Sequence, residues 1–334
     1  MAALVSRAHP RSFLVAPDSF KGTLSSFEVA EALARGVRAE GTDADLCPLA
    51  DGGEGTMHVL LEALGGRYAT AAARDPLGRE IEARFVLLAD RESAVVDAAE
   101  ASGLTLVAPD VRDPVAATTG GTGDLVVAAI RAGARRVLVS AGGSATTDGG
   151  AGAIEAIAAA GGLGGAALAV LCDVTTPFED AARVFGPQKG ASPEQVELLT
   201  ERLNAYAKTL PRDPRGVPRS GCAGGLSGGL WAAFGATLRP GADFVLELVD
   251  FAARLEAAYA AISGEGRIDE QSLVGKVVGA VARRCRESGR PLHVVVGRNA
   301  LDRRSAARAG IASIREAGTP ASLERAARAI ARAR

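Results

Sequence analysis

The feature that most constrains the fold of this chain is a recurring unit of a short apolar segment, a polar loop with glycine or serine, and a helix. In the first helix Val29, Leu33 and Val37 recur at helical spacing, and a serine just before them can cap it. Repeated strand, loop and helix units are typical of a parallel sheet. The first two units are predicted as strand, loop and helix over 13–16, 17–25 and 26–38, then over 46–49, 50–56 and 57–64.

The same alternation returns towards the carboxyl terminus. Three strands are predicted at 260–263, 292–296 and 311–315, each followed by a helix, at 276–287, 301–309 and 323–334. With the two strands at the start they make five parallel strands. We therefore predict an α/β protein with a discontinuous flavodoxin-like parallel-sheet domain into which a second, mixed α/β domain is inserted. The predicted domains are 1–73 plus 259–334 for the first and 74–258 for the second.

The inserted segment begins with a different pattern. A turn over 75–78 precedes two segments, 81–88 and 94–98, that are typical of an antiparallel pair. The remaining predicted elements are a helix over 120–132, strands over 137–140 and 167–172, a charged helix over 193–209, and a glycine-rich turn over 221–230 that leads into a helix of small residues.

The charge balance narrows the class of partner. The 334 residues contain 38 Lys and Arg against 39 Asp and Glu, a net charge of −1. Proteins that depend on nucleic-acid phosphates or an anionic membrane usually show a basic excess or a basic stripe. Neither is present in this sequence. We therefore expect a small-molecule substrate, with no nucleic-acid and no membrane partner.

Targeting and cysteine patterns favour a cytoplasmic protein. The first twelve residues lack the apolar region of a secretory signal, and nothing approaches the roughly 18 apolar residues of a membrane span. The four cysteines form no CxxC pair, so neither a disulfide framework nor a zinc site is indicated. His9, His58 and His293 are far apart, and we expect structural or surface roles for them.

Several standard motifs fail a strict comparison. Gly275-Lys276 is followed by Val277 and lacks the earlier glycine, so there is no Walker A loop. The GxGxxA match over 162–167 precedes a strand instead of following one, which argues against a dinucleotide-binding fingerprint. The GxSxG match over 225–229 has no strand leading into it, so Ser227 is not expected to be a hydrolase nucleophile.

Three loops of the first domain combine glycine with carboxylates. They cover 18–22, 51–55 and 264–269, and two of them add a cationic side chain. Glycine allows backbone N–H groups to approach an anion closely, whereas nearby carboxylates would repel phosphate unless a divalent cation lay between them. A single such loop is usually only a turn with an Asx cap. Three of them favour a site for phosphate with Mg²⁺.

The inserted domain has glycine-rich loops of its own. The segment 142–150 carries three hydroxyls and one acid among four glycines, and could hold phosphates or a substrate carboxylate. Lys189 is predicted to lie exposed on a rigid turn over 185–190, as a functional or a merely solvated lysine. The segment 221–228 is either a close-packed helix start or another backbone anion site.

Six motifs occur in this sequence in a specific order. They are APDSFK over 16–21, ADGGEGT over 50–56, GGSAT over 142–146 with DGG over 148–150, CDV over 172–174, FGPQKG over 185–190 and GEGRID over 264–269. In these motifs and their order the chain resembles the type 1 glycerate kinases, commonly glycerate 2-kinases, over residues 13 to about 300. The resemblance implies a flavodoxin-like domain interrupted by a second α/β domain, with the active site in the cleft between them. It also implies phosphorylation of D-glycerate by ATP with Mg²⁺, most often at the 2-hydroxyl to give 2-phosphoglycerate.

In that context each group of residues has a candidate role. Lys21 would meet the developing phosphoryl charge, and an acid would orient or deprotonate the attacking hydroxyl. Hard oxygen ligands suit Mg²⁺, and backbone amides with Arg267 suit glycerate. The catalytic candidates are Asp18, Lys21, Asp148 and Asp173; the metal candidates are Asp51, Glu265 and Asp269; the substrate or phosphate candidates are Ser19, Gly52, Gly53, Gly143, Ser144, Thr146, Thr147, Lys189, Gly264, Gly266 and Arg267.

The chain also departs from the pattern of the family it resembles. It is shorter between Asp148 and Asp173, which bears on domain contacts and on assembly, where a homodimer is one option. Thr147 stands where asparagine is common, and 297–299 reads Gly-Arg-Asn. These changes leave two alternatives open. One is a kinase for a related hydroxy acid or sugar acid, and the other is a non-catalytic regulator that binds glycerate or nucleotide on the same scaffold.

Overall fold

A computed structural model describes residues 12–333. The expectations for His9 and for the amino-terminal segment 1–11 lie outside the described residues. The strands are β1 (Phe13–Val15), β2 (Ala44–Leu46), β3 (Gly66–Arg74), β4 (Glu80–Leu88), β5 (Ser93–Asp97), β6 (Arg136–Ser140), β7 (Ala167–Cys172), β8 (Thr237–Pro240), β9 (Ala260–Ile268), β10 (Leu292–Asn299) and β11 (Ile311–Glu316).

The helices are α1 (Ser26–Arg38), α2 (Thr56–Leu64), α3 (Ala99–Ser102), α4 (Gly120–Arg131), α5 (Ala151–Ala159), α6 (Ala181–Phe185), α7 (Pro193–Ala207), α8 (Leu226–Phe234), α9 (Gly241–Leu248), α10 (Phe251–Ala257), α11 (Val277–Ser288), α12 (Arg303–Arg308) and α13 (Pro320–Arg332). Most of the longer helices were predicted from the sequence pattern, whereas α3, α6, α9 and α10 were not. None of the helices within 12–333 is both long enough and apolar enough to span a bilayer.

The described chain divides into two compact units. The first contains the described residues up to Asp51 and those from Ala242 onwards, and the second contains Gly52–Gly241. The predicted boundaries differ from this division. Residues 52–73 belong to the second unit because β3 pairs with β4 along its whole length, from Gly66 opposite Leu88 to Arg74 opposite Glu80. Residues 242–258 belong to the first unit, where Arg254 of α10 forms an ion pair with Asp45.

The first unit is built on a five-stranded sheet in the order β11–β10–β9–β1–β2. Every neighbouring pair is parallel. This confirms the prediction of a flavodoxin-like sheet, because the strand order by first appearance in this unit is 2-1-3-4-5. Strand β1, which lies between β9 and β2, is fully buried, and Phe13, Val29 and Leu33 belong to the same apolar core. Ser25 caps α1 in a capping box with Glu28.

The second unit is built on a mixed six-stranded sheet in the order β3–β4–β5–β6–β7–β8. The predicted antiparallel pairing of the segments 81–88 and 94–98 is confirmed as β4 against β5, and β5 to β8 run parallel. The core of this unit includes Phe85, Leu125, Val139 and Leu226. Because β5, β6 and β7 are parallel, their carboxyl ends lie at one edge of the sheet.

Two strands extend further than predicted. The segment 264–268 was predicted as loop, yet β9 continues through it to Ile268. β10 likewise continues to Asn299, and Arg298 and Asn299 pair with Arg267 and Ile268. The backbone hydrogen bonds of the neighbouring strand thus hold a segment in which two glycines suggested a loop. All four cysteines are buried, and their thiols are free.

Candidate functional site

The first cluster of polar residues lies in the first unit, beyond the carboxyl end of β1. The chain leaving β1 runs beside β9, with Ala16 N donating to Ile262 O (2.7 Å) and Asp18 N to Gly264 O (2.8 Å). The chain leaving β2 runs on the other side, with Leu49 N donating to Pro17 O (2.9 Å). These backbone bonds bring the carboxylates of Asp18, Asp51 and Glu265 close together. The charges of Asp51 and Glu265 both raise the pKa of Asp18.

Lys21 is the cation of this cluster. Its Nζ lies 3.3 Å from Asp51 Oδ2, with the lysine side chain 66% exposed and the aspartate side chain 3% exposed. Lys21 therefore combines a buried carboxylate partner with an ammonium group that solvent can reach. Because this ammonium group is already accessible to solvent, it can bind an incoming anion without a conformational change that exposes it.

The buried carboxylates of the cluster have perturbed acidities. Burial first, and then the charge of Asp51, raises the pKa of Asp18 to about 8, while Lys21 and the Ser19 N–H act in the opposite direction. Burial also raises the pKa of Glu265 to about 7, against the influence of Ser272 and Lys276. Carboxylates shifted by burial and by one another are typical of functional sites.

One carboxylate oxygen in the cluster is buried without a partner among residues 12–333. It is Oε1 of Glu265, whose side chain lies in β9. In the same part of the chain no three His, Cys, Asp or Glu side chains converge as ligands of a metal ion. The predicted metal trio of Asp51, Glu265 and Asp269 is therefore not brought together as one ligand set. Asp269 Oδ1 instead accepts from Gln271 N (3.1 Å) and Ser272 N, which caps a short 3₁₀ helix.

One glycine predicted at this cluster, Gly264, is required by packing. A Cβ on Gly264 would lie 2.3 Å from Val295 O, so β10 can approach β9 only at a glycine. A Cβ on Gly266 would lie 3.5 Å from the backbone of Phe20, which places this part of β9 beside the loop that carries Lys21. Ser19 N donates to Asp18 Oδ1 (2.7 Å), and Arg267 Nε lies 3.7 Å from Asp269 Oδ2.

The second cluster lies in the second unit, on the loop 141–150 between β6 and α5. The prediction that Lys189 is exposed is wrong, because the residue is only 6% exposed. Its Nζ donates to Ser144 Oγ (3.1 Å) and to the carbonyl oxygen of Thr146. Burial lowers the pKa of Lys189 to about 7, and the charge of Asp148 opposes this shift.

This buried lysine has unusual surroundings. The ion pairs identified within 12–333 do not include Lys189. The hydroxyls of Thr146 and Thr147 are also buried there, and neither has a hydrogen-bond partner in the described chain. An ammonium group that forms no ion pair in the described chain, together with two hydroxyl groups that lack hydrogen-bond partners there, is suited to receive an anion with several oxygen atoms.

Two further predicted acids have different surroundings. Asp148 Oδ2 accepts from Thr119 N (2.8 Å) and Gly152 N (3.1 Å), and Oδ1 accepts from Gly150 N (3.0 Å). Asp148 therefore holds the start of α5 and the segment before α4, and its oxygens are already engaged. Asp173 directly follows β7 and is partly exposed.

Comparison with known proteins identifies the family. The family model described as "Glycerate kinase family" matches residues 13–161 and 162–333. Glycerate kinase from Bacillus subtilis strain 168 is 38% identical over 89% of this chain and 88% of the relative. Glycerate 2-kinase from Escherichia coli K12 is 36% identical over 85% of this chain and 84% of the relative. The chain belongs to the glycerate kinase family.

A solved structure agrees with the family assignment. The crystal structure from Salmonella typhimurium LT2, assigned as a glycerate kinase 2, matches with a TM-score of 0.83 and 34% identity, over 97% of this chain and 98% of that chain. The predicted resemblance and the two-domain α/β fold are thereby confirmed. Membership of a kinase family implies a nucleotide as phosphoryl donor and a small molecule as acceptor.

The structure of this glycerate kinase family member also contains a polar group that the sequence prediction missed. Asp97, the last residue of β5, is 4% exposed and accepts hydrogen bonds from Gly55 N (3.0 Å) and Met57 N (3.1 Å). Ser140 Oγ, at the end of β6, donates to the same carboxylate. The sequence does contain a signal for Asp97, because an acidic residue at the end of an apolar strand segment is the pattern that made Asp173 a candidate.

Proposed function

We propose that this protein transfers the γ-phosphoryl group of ATP to the 2-hydroxyl of D-glycerate, giving 2-phosphoglycerate. The observation that carries the proposal is the cluster of Asp18, Lys21, Asp51 and Glu265, three buried carboxylates and one accessible ammonium group, in a chain of the glycerate kinase family. Phosphoryl transfer requires little covalent chemistry from a protein. It requires positioned reactants and neutralised charge, which such a cluster can supply.

Lys21 neutralises charge on the transferred group. Its Nζ is anchored on Asp51 Oδ2 at 3.3 Å, yet most of the side chain remains exposed. Because Lys21 is the cationic side chain paired with Asp51, its loss would leave an incoming phosphate chain beside carboxyl groups with less positive charge to compensate them. The role of Lys21 is therefore electrostatic, in the transition state more than in the ground state.

In its ionised form, Asp18 orients the attacking hydroxyl group and accepts its proton. Oδ1 of Asp18 is engaged with Ser19 N, and no other side-chain bond to this carboxylate is found in the described chain. Asp148 is less suited to this role because both of its oxygens already accept backbone N–H groups. A positioned carboxylate in hydrogen-bond reach of the hydroxyl is the usual arrangement for such proton transfer.

The first cluster also fits Mg²⁺. The orphaned Oε1 of buried Glu265 and the carboxylate of Asp51 are hard oxygen donors of the kind that Mg²⁺ prefers. Mg²⁺ is usually held by one or two carboxylates together with substrate phosphates, so a third protein ligand is not needed. We assign Glu265 and Asp51 to it, and Asp269 to capping. When bound, Mg²⁺ would neutralise phosphate charge.

Residues of the second unit bind the carboxylate of D-glycerate. Lys189 offers an ammonium group, and Ser144, Thr146 and Thr147 offer hydroxyls beside it. A carboxylate can accept from such donors and supplies the negative charge that a buried ammonium lacks. Lys189 therefore selects for an acid among small polyols. A sugar acid or another hydroxy acid would share this contact.

The first prediction concerns the pH dependence of glycerate binding. Lys189 has a pKa of about 7, so the residue is charged below that pH and becomes neutral as the pH rises through it. A carboxylate favours the charged form. The dissociation constant for D-glycerate is thus expected to stay constant below pH 7 and to rise by up to about tenfold per pH unit above it. Calorimetric titration across this range measures the effect.

The matched variants are Lys189→Met and Lys208→Met. Lys208 is exposed at the end of α7, so the second variant should keep the wild-type pH dependence. Lys189→Met should bind D-glycerate weakly at every pH, with no slope. A wild-type affinity that does not change from below to well above pH 7 would contradict the role assigned to Lys189.

A substrate panel tests the proposed function itself. Purified protein is incubated with ATP, Mg²⁺ and one acceptor at a time, among them D-glycerate, L-glycerate, lactate and glycerol, and ATP consumption is followed. D-glycerate is expected to be the preferred acceptor. Preference for a different acid would assign this chain to a related substrate, and absence of turnover with every acceptor would favour a non-catalytic binding role.

A further inference from the structure

The buried carboxylate of Asp97 connects three separate segments of the second unit. Asp97 ends β5 and lies in register with Ser140, which ends β6. Its Oδ2 accepts from Gly55 N at 3.0 Å, and its Oδ1 accepts from Met57 N at 3.1 Å and from Ser140 Oγ. One side chain that is 4% exposed therefore holds the ends of two strands and the turn before α2.

The hydrogen bonds from 55 and 57 replace a local helix cap. α2 begins after Gly55, whose φ of +88° suits glycine and whose missing side chain cannot accept from the first turn. Helix amino termini have unsatisfied N–H groups and a partial positive charge. Asp97 supplies both an acceptor and a negative charge from a residue 40 positions away from Met57. The conformation of this turn thus depends on Asp97.

The same turn packs against the loop after β6. Ala141 N donates to Gly52 O at 3.1 Å, and a Cβ on Gly142 would lie 2.4 Å from the Cα of Gly53. The loop that follows Ser140 continues directly into Gly143 and Ser144. Two glycine-rich segments are therefore in contact, and Asp97 binds the first directly and the second through Ser140.

Keeping a carboxylate in this place has an energetic cost. Burial raises the pKa of Asp97 to about 7, although the donors at Ser140, Gly55 and Met57 act in the opposite direction. Both oxygens of Asp97 already accept hydrogen bonds from the protein, and no cationic side chain is hydrogen-bonded to the carboxylate in the described chain. A buried carboxylate with this energetic cost is useful where its hydrogen bonds hold a backbone conformation that an apolar side chain could not hold.

We propose that Asp97 is a positioning residue that holds the 52–55 turn and the 141–147 loop in the arrangement that binds D-glycerate. The proposal rests on the proposed function, since it uses the substrate assigned above. Asp97 acts through Gly52, Gly53, Gly143 and Ser144 and takes no part in the chemistry. Loss of its hydrogen bonds should thus weaken substrate binding more than it slows phosphoryl transfer.

The central test is Asp97→Asn. The amide keeps the shape of the carboxylate, but its NH₂ group cannot accept from a backbone N–H, so one of the bonds to 55 or 57 is lost. The KM for D-glycerate is expected to rise at least about tenfold, with kcat changed by less than about threefold. Amide hydrogen exchange at Gly55 and Met57 should become faster, while the melting temperature stays close to that of the wild type.

Asp90→Asn is the matched control. Asp90 precedes the opposite end of the same strand β5, and it likewise accepts from two backbone N–H groups, of Glu92 and Ser93, and from a serine hydroxyl, that of Ser93. This variant should leave KM for D-glycerate unchanged. Ser140→Ala should raise KM in the same direction as Asp97→Asn, and Ser140→Thr, which keeps the hydroxyl, should restore it.

The outcomes separate the positioning role from the alternatives. Wild-type kinetics in Asp97→Asn would overturn the proposal, and so would an equal rise in KM in Asp90→Asn. If Asp97→Asn does not fold, the pair Ser140→Ala and Ser140→Thr decides, and equal KM values in the two would overturn it. If the wild type does not phosphorylate D-glycerate, the proposed function fails. Exchange at Gly55 and Met57 then still decides whether Asp97 holds the turn, because unchanged exchange in the variant would refute that.

Discussion

Replacement of Lys21 by alanine is expected to lower kcat by about 10²–10³-fold, the range for loss of one preorganised group that stabilises transition-state charge. The reason is electrostatic, because Lys21 is the ammonium group anchored at 3.3 Å on buried Asp51. Without it, the carboxylates of Asp18 and Asp51 would face the phosphoryl group with less compensation. The melting temperature should change little, since the lysine side chain is mostly exposed. Steady-state kinetics with saturating ATP and D-glycerate measures the effect.

Lys21→Arg and Lys208→Ala complete this experiment. Arginine keeps the charge but not the compact geometry of an ammonium group, so an intermediate kcat is expected. Lys208 is an exposed lysine at the end of α7, and its removal should have no effect. A Lys21→Ala variant that is folded and retains most of its kcat would show that this lysine does not carry the phosphoryl charge.

Replacement of Asp18 by asparagine is expected to lower kcat by about 10²–10⁴-fold, the usual range for loss of a positioned proton acceptor. Asparagine can still accept from Ser19 N, as Asp18 Oδ1 does at 2.7 Å, so the loop should keep its conformation. The KM for D-glycerate should change much less than kcat, because the amide can still hydrogen-bond the hydroxyl without accepting its proton.

Asp43→Asn is the control for Asp18→Asn. Asp43 Oδ1 accepts from the N–H of the next residue, Ala44, at 2.8 Å, which is the local bond that Asp18 makes with Ser19. Asp43 precedes β2, however, whereas Asp18 follows β1, so the two lie at opposite edges of the parallel sheet. Wild-type kinetics are expected for Asp43→Asn. Equal kcat values in the two variants would remove Asp18 from the mechanism.

The parts of the fold with a clear periodic pattern could be predicted from the sequence. The helical spacing of Val29, Leu33 and Val37 gives α1, and the apolar segments before the polar loops give the parallel strands. β3 could not be predicted in this way. Its sequence over Gly66–Arg74 is rich in alanine and mostly exposed, so its place is fixed by pairing with β4. This difference accounts for the disagreement over residues 52–73.

The candidate site could likewise be predicted only where its residues are marked by local sequence. Glycine and carboxylate together marked the loops that carry Asp18 and Asp51, because those residues are close in sequence to the glycines that shape the backbone. Lys189 was expected at the surface from its short Gly and Pro turn, but its burial depends on Ser144 and Thr146, more than 40 positions away. Asp97 and its partner Gly55 are separated by 42 positions, so no local motif contains both.

The most direct test of the proposed activity is phosphorus NMR of the product formed from ATP and D-glycerate. With Mg²⁺ present, we expect ATP to be consumed and the resonance of 2-phosphoglycerate to appear, and chelation of the metal should stop the reaction. A 3-phosphoglycerate resonance would contradict the assigned hydroxyl while leaving the kinase activity in place. Folded protein that forms no phosphoglycerate would contradict the account as a whole.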